Sequence, residues 1–238
     1  MTAASPPVAG TGAAGAVVAG DRFAIPATAS LVVAAADVRV AVAAGAPVAS
    51  LRALARVAGE AWVETILEGF VLALAAASRG PGSGRRTAAT LRDLSDKIVG
   101  SGSKRADAAR VAALVGYFDE HLVAGPPPRI TFAIDDELAA ALTPTLQIAA
   151  TGAPVPPEVL GAALHATVDA TLVRFFDGPL TVLGLGVLLR TAVRIGRSAV
   201  TGRVHGEVDR AVKDAEASAR LVTMLRGYVA APAAPAHA

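Results

Sequence analysis

The chain has 238 residues, 53% of them hydrophobic but only 4% aromatic, with no cysteine and 22 Lys and Arg against 20 Asp and Glu. The lack of cysteine excludes disulfides, thiolate nucleophiles and Cys-ligated zinc, and is compatible with a reducing cytoplasm. Balanced charge gives no overall field for nucleic acid, and an apolarity carried by Ala, Val and Leu, at a mean hydropathy of +0.52, favours helices that approach one another closely.

Residues 1–20 read as a flexible Ala/Gly/Pro-rich arm, 21–229 as one mainly helical domain and 230–238 as a tail. No basic residue precedes Asp21, which argues against a secretory signal. Gly10, Gly12 and Gly15, with Asp37 further on, have the spacing of a dinucleotide fingerprint. Pro6, Pro7 and Pro26 deny that pattern its strand and helix. Between Arg22 and Val42 the runs FAIP, SLVV and VRVAV are β-capable.

From there the helical period takes over. Leu51, Leu54, Ala58, Trp62, Ile66 and Phe70 predict a long helix over 48–78, broken by Arg79 to Gly84. Thr90 and Asp93 resemble a capping box opening a short helix that GSGS at 100–103 ends. Val111, Leu114, Val115, Phe118 and Leu122 mark the next helix, stopped by Pro126, Pro127 and Pro128. Arg129 to Ile134 reads as a strand followed by a helix with Asp135 and Asp136 at its N-terminus, interrupted at Pro144. A helix over 157–176 and one broken or two consecutive helices over 180–229, with Gly196, Gly202 and Gly206 as weak points, complete the chain. The expected fold is an irregular bundle of six to seven helices with at most a few short strands. The uncharged stretch from Leu138 to Pro157 holds four prolines and Gly178 to Leu189 is too short, so neither is expected to span a bilayer.

Three functional readings follow. The residues 70–91, an apolar segment, a Gly-rich loop and a helix, resemble a phosphate-binding loop in outline, and Ile130 to Glu137 resembles the strand ending in acids that holds magnesium beside one. Arg79, Arg85 and Arg86 stand where that loop needs Gly, Lys and Ser or Thr, so this is a degenerate nucleotide site at most. Apolar Pro179 to Leu189 leading into Arg190, Arg194 and Arg197 suits an anionic membrane surface. The first reading in rank is a non-catalytic protein that self-associates or docks another protein through Ala- and Gly-rich helix faces. Ser198, Gly202 and Gly206 form one such face.

The histidines offer no Glu-x-x-His pair, Asp119, Glu120 and His121 point around a helix end, and His165 fits a hydrogen-bonded boundary residue. No catalytic constellation, cofactor or metal is indicated, and the reading leans away from an enzyme. The basic residues of 79–110 lack interleaved aromatics for nucleic acid. One charge pattern is sharp. Arg52, Arg56, Glu60, Glu64 and Glu68 recur every four residues, with the acids toward the unfavourable C-terminal end of their helix. Arg190, Arg194 and Arg197 share a face of a late helix, and the two stripes are expected to meet.

Overall fold

The computed structural model describes residues 21–79, 84–123, 125–182 and 187–230. The expected arm, 1–20, and all of the expected tail except Ala230 lie outside the described residues. The fold is mainly helical. In chain order it comprises β1 (Arg22–Pro26), α1 (Ala29–Ala43), α2 (Val48–Arg79), α3 (Arg85–Arg105), α4 (Ala108–His121) and β2 (Leu122–Val123). Then come β3 (Arg129–Ala133), α5 (Asp136–Ala150), α6 (157–182), α7 (Val187–Ala211), α8 (Ala215–Tyr228) and β4 (Val229–Ala230). A π-helical stretch interrupts α2 at Leu67–Leu72, and another interrupts α6 at Leu172–Asp177.

Local chemistry explains most of these boundaries. Thr28 opens α1 by accepting the Leu31 amide, and Asp107, Asp135 and Asp214 cap α4, α5 and α8 in the same way. Three expectations are corrected. The runs SLVV and VRVAV are helix: Leu31, Ala34, Ala35 and Val38 recur at helical spacing and bury one side of α1, which outweighs the strand preference of valine. GSGS at 100–103 continues α3, because Gly102 and Ser103 are buried against its neighbours. Pro144 lies within α5; it and Ala140, whose carbonyl would have taken the missing N–H, are both solvent-facing, so water can satisfy that carbonyl.

The run strand, helix, long helix with a π stretch, long helix, helix, strand occurs twice. Arg22–Pro26 and Arg129–Ala133 lie 107 residues apart, and the caps Thr28 and Asp135, and Asp107 and Asp214, keep that spacing. So does the tetrapeptide Gly-Ala-Pro-Val at 45–48 and 152–155, whose glycines turn the chain after α1 and α5 at φ +64° and +75°.

The four-stranded sheet has the order β2-β3-β1-β4 and is antiparallel throughout. At its centre Ala24 faces Thr131, with Phe23 opposite Phe132 and Ile25 opposite Ile130. The outer pairs obey the same two-fold relation: Leu122 faces Ile130, and Val229 faces Phe23. Each half therefore sends its last strand to the first strand of the other. All three central residues of β1 and of β3 are buried, so the sheet is covered on both faces.

The helices cross over likewise. Helix α8 packs on the end of α2, and α4 packs on the end of α6. Tyr228 donates to the Gly69 carbonyl at 2.5 Å and Tyr117 to the Arg174 carbonyl at 2.5 Å, so each π stretch is held by a phenol from the opposite half. Burial pushes both phenols well above the ordinary tyrosine range. Phe23 links Phe132, Phe70 and Tyr228, while Trp62 stacks on Phe118 and meets Tyr117 edge-on. Helix α2 is long and apolar enough to cross a membrane by length and composition, but it is a core helix here: Trp62, Ile66 and Phe70 are buried, as is 61% of its most apolar window.

Candidate interaction surface

The outer side of α1 is the most unusual surface in the described chain. Ala29, Val33, Ala36, Val40 and Ala43 are all exposed, and they follow one another at steps of four, three, four and three residues. That is the spacing of an apolar helix seam, with valine and alanine alternating along it. Val33 is 60% and Val40 68% exposed, although the opposite side of the same helix is fully committed to the core. Asp37 borders the seam, and Arg39 pairs with Asp119 of α4. Val57 of α2 and Val173 of α6 are the next most exposed of the long helices' aliphatic residues among those described. The corresponding positions of α5 are Asp136, Ala140, Thr143, Gln147 and Ala150, which make no apolar seam.

The acidic stripe of α2 lies along its outer edge. Arg52 turns away to the Ala106 carbonyl at 2.7 Å, and Arg56 pairs with Glu60 at 2.7 Å. Glu64 receives Arg92 of α3 in a fork, Nε to Oε2 at 3.0 Å and Nη2 to Oε1 at 2.5 Å. Partial burial, together with a hydrogen bond and like charge from Glu64, raises the Glu68 carboxyl above the ordinary range. The cation that Glu64 requires is thus supplied by the adjacent helix; its candidate was present in the sequence as Arg92, 28 residues on. Arg190, Arg194 and Arg197 belong to α7, and their side chains lie outside the described residues.

On α7 the buried face is Val200, Val204, Val208 and Ala211. Ser198 and Gly202 are exposed and Gly206 half-buried, and a Cβ added at either glycine would meet nothing within 4 Å. The small-residue face therefore looks away from the chain's own interior. Most of the segment 179–203, offered for membrane contact, has side chains outside the described residues. Around the phosphate-loop likeness, Phe70 to Arg79 is helix, residues 80–83 lie outside the described ones, and Asp135 caps α5 and pairs with Arg174 at 3.0 Å.

A polar cluster that the sequence reading does not single out lies between α6 and α7. His165 and Asp169 are one helical turn apart on α6, as are His205 and Asp209 on α7. Across the antiparallel pair, His165 Nε2 stands 3.1 Å from Asp209 Oδ1 and His205 Nε2 stands 3.3 Å from Asp169 Oδ1. The two imidazoles stack between them with centroids 4.1 Å apart. The repeated spacing His-x-x-x-Asp is the signal that could have revealed it. Beside this cluster, a cavity of about 20 Å³ between Phe70, Leu74, Val168, Leu172, Val204 and Glu207 has room for about one water. Arg79 closes over its Glu207. Comparison of the chain with protein-family models, with curated protein sequences and with solved structures finds no match.

Proposed function

We propose that this protein is a non-catalytic helical assembly protein that pairs with a second copy of itself through the outer seam of α1. The observation that carries this reading is a helix apolar on two opposite sides, of which one is buried in the core and the other faces solvent in a heptad pattern between Asp37 and Arg39. A surface helix ordinarily turns charged or polar residues, not a second apolar stripe, to the side opposite its buried face. A second α1 crossing the first in the opposite sense sets Val33 of one copy against Val40 of the other. The alanines between them allow close approach. Among the described residues the seam occurs once, since α5 does not repeat it, so the assembly closes as a two-fold dimer and does not propagate.

Size-exclusion chromatography with light scattering over a concentration series tests this. The expected result is a dimer that dissociates on dilution, and a monomer at every concentration for Val33→Glu/Val40→Glu. Both residues are exposed, so the substitutions leave the fold intact. A wild-type chain that is monomeric throughout, or a dimer indifferent to both charges, overturns the reading.

A further inference from the structure

The cluster between α6 and α7 has features that packing alone does not require. In the first half the corresponding pair, α2 and α3, meets through Gly59, where an added Cβ would lie 2.9 Å from Val99 Cγ1. The interior of that pair is thus an apolar contact, and its cross-helix ion pair, Arg92 with Glu64, lies at the outer edge. In the second half the same kind of pair holds two imidazoles and two carboxylates. Both Nε2 atoms are shut off from solvent and make no hydrogen bond, because the facing carboxylate oxygens stand at hydrogen-bond distance but off the direction in which a hydrogen bond forms. Leaving two such atoms unsatisfied is costly beside an apolar alternative.

We propose that His165, Asp169, His205 and Asp209 form a binding site for a divalent transition-metal ion of the zinc class. Imidazole nitrogen and carboxylate oxygen are the donors that such an ion takes, at about 2.0 to 2.2 Å from the metal, and two donors on one tetrahedral ion are then about 3.3 Å apart. The cross-helix separations of 3.1 and 3.3 Å match that edge. The two donors on each helix are four residues apart and so lie on one face. Among the described residues no three such side chains already converge on a point, so the stacked rings must turn for both to reach one ion. The carboxylates are 55% and 58% exposed and give the ion its way in. Binding joins α6 to α7 by bonds stronger than the contacts it replaces. The site lies in the second half alone and is separate from the seam of α1.

The test is titration of the full chain, freed of metal with a chelator, with Co²⁺ and then Zn²⁺ near neutral pH. Cobalt absorption and the thermal midpoint are the readouts. One ion per chain, visible-region bands of four- or five-coordinate cobalt displaced by zinc, and a raised midpoint are expected. His165→Gln/His205→Gln should weaken binding by roughly 100-fold or more, while His121→Gln and His237→Gln should not change it. Should the double histidine variant fail to fold, Asp169→Asn/Asp209→Asn, at solvent-facing positions, should weaken binding by roughly tenfold or more. No cobalt bands and no shift in midpoint at millimolar metal overturn the proposal, and so does binding that survives in every variant that folds.

Discussion

The two halves of the chain share one sequence of elements and differ in where they place their polar side chains. The first half closes α2 on α3 through Gly59 and Val99, keeps its charges Arg56, Glu60, Glu64 and Arg92 on the outer edge, and leaves the seam of α1 bare. The second half covers the equivalent of that seam with Asp136, Thr143 and Gln147, and moves histidine and aspartate in between α6 and α7. What both halves keep is what the framework needs: a polar cap at Thr28 and Asp135, a left-handed glycine at 45 and 152, and an aspartate cap at 107 and 214. What only one half has departs from those needs, and departures of that kind are expected at functional or strained sites.

The largest test of this contrast is a pair of glycines. Gly59→Ala drives a methyl group into Val99 and should cost about 1 to 3 kcal/mol in chemical denaturation. Gly161→Ala on α6 meets nothing within 4 Å and should stabilise by about 0.5 to 1 kcal/mol, through helix propensity alone. Effects of the same sign would break the claim that the two long-helix pairs are packed differently.

The two phenols test what the halves share. Tyr117→Phe and Tyr228→Phe each strip the hydrogen bond from a π-stretch carbonyl and should each cost about 1 to 2 kcal/mol, nearly additively. Because burial raises the folded pKa of each phenol, the unfolded chain loses its tyrosine protons first. Stability is then full below about pH 10 and falls as pH rises above it. The double Phe variant should show a shallower alkaline loss; an unchanged alkaline limb would mean that these groups are not the ones held neutral.

The smallest effect sharpens the comparison at the caps. Thr28→Ala and Asp135→Ala should each cost about 1 kcal/mol, with Thr28 also giving up its contact with the Thr65 hydroxyl at 2.8 Å. Only one of them titrates. The Leu138 amide, and after it Arg174, hold the Asp135 carboxyl below its ordinary range. Its contribution is present above about pH 4 and is lost as pH falls through the lowered value. Thermal midpoints across the acid range should converge for wild type and Asp135→Ala and stay apart for Thr28→Ala.

Much of this fold is legible in the residues. The faces of α2, α4 and α6, the strand at 129–133 and the acidic start of α5 follow from period and capping. Helix α1 is not, because Val32, Val33, Val38, Val40 and Val42 speak locally for a strand and only burial of Leu31, Ala34, Ala35 and Val38 decides for a helix. The repeat is visible as Gly-Ala-Pro-Val at 45 and 152, yet an alanine- and valine-rich background blurs it, and α2 has 19 residues before its π stretch where α6 has 15. The stripe on α2 could be read as needing a cation, but not that Arg92 would supply it. His165 and His205 stand 40 positions apart, and only the antiparallel return of α7 along α6 makes them neighbours.

The exchange of outer strands sets a schedule for biosynthesis. When Pro26 leaves the ribosome, the strand it ends has neither of its neighbours, since one begins at Arg129 and the other at Val229. At about 5 to 20 residues per second, those neighbours trail it by on the order of 5 to 20 s for the first and twice that for the second. Through that interval Phe23 and Ile25, which end with no exposed surface, have no strand beside them while the helices are still being made. Translation speed and access to holdase chaperones are therefore expected to act on this protein through the five residues Arg22–Pro26.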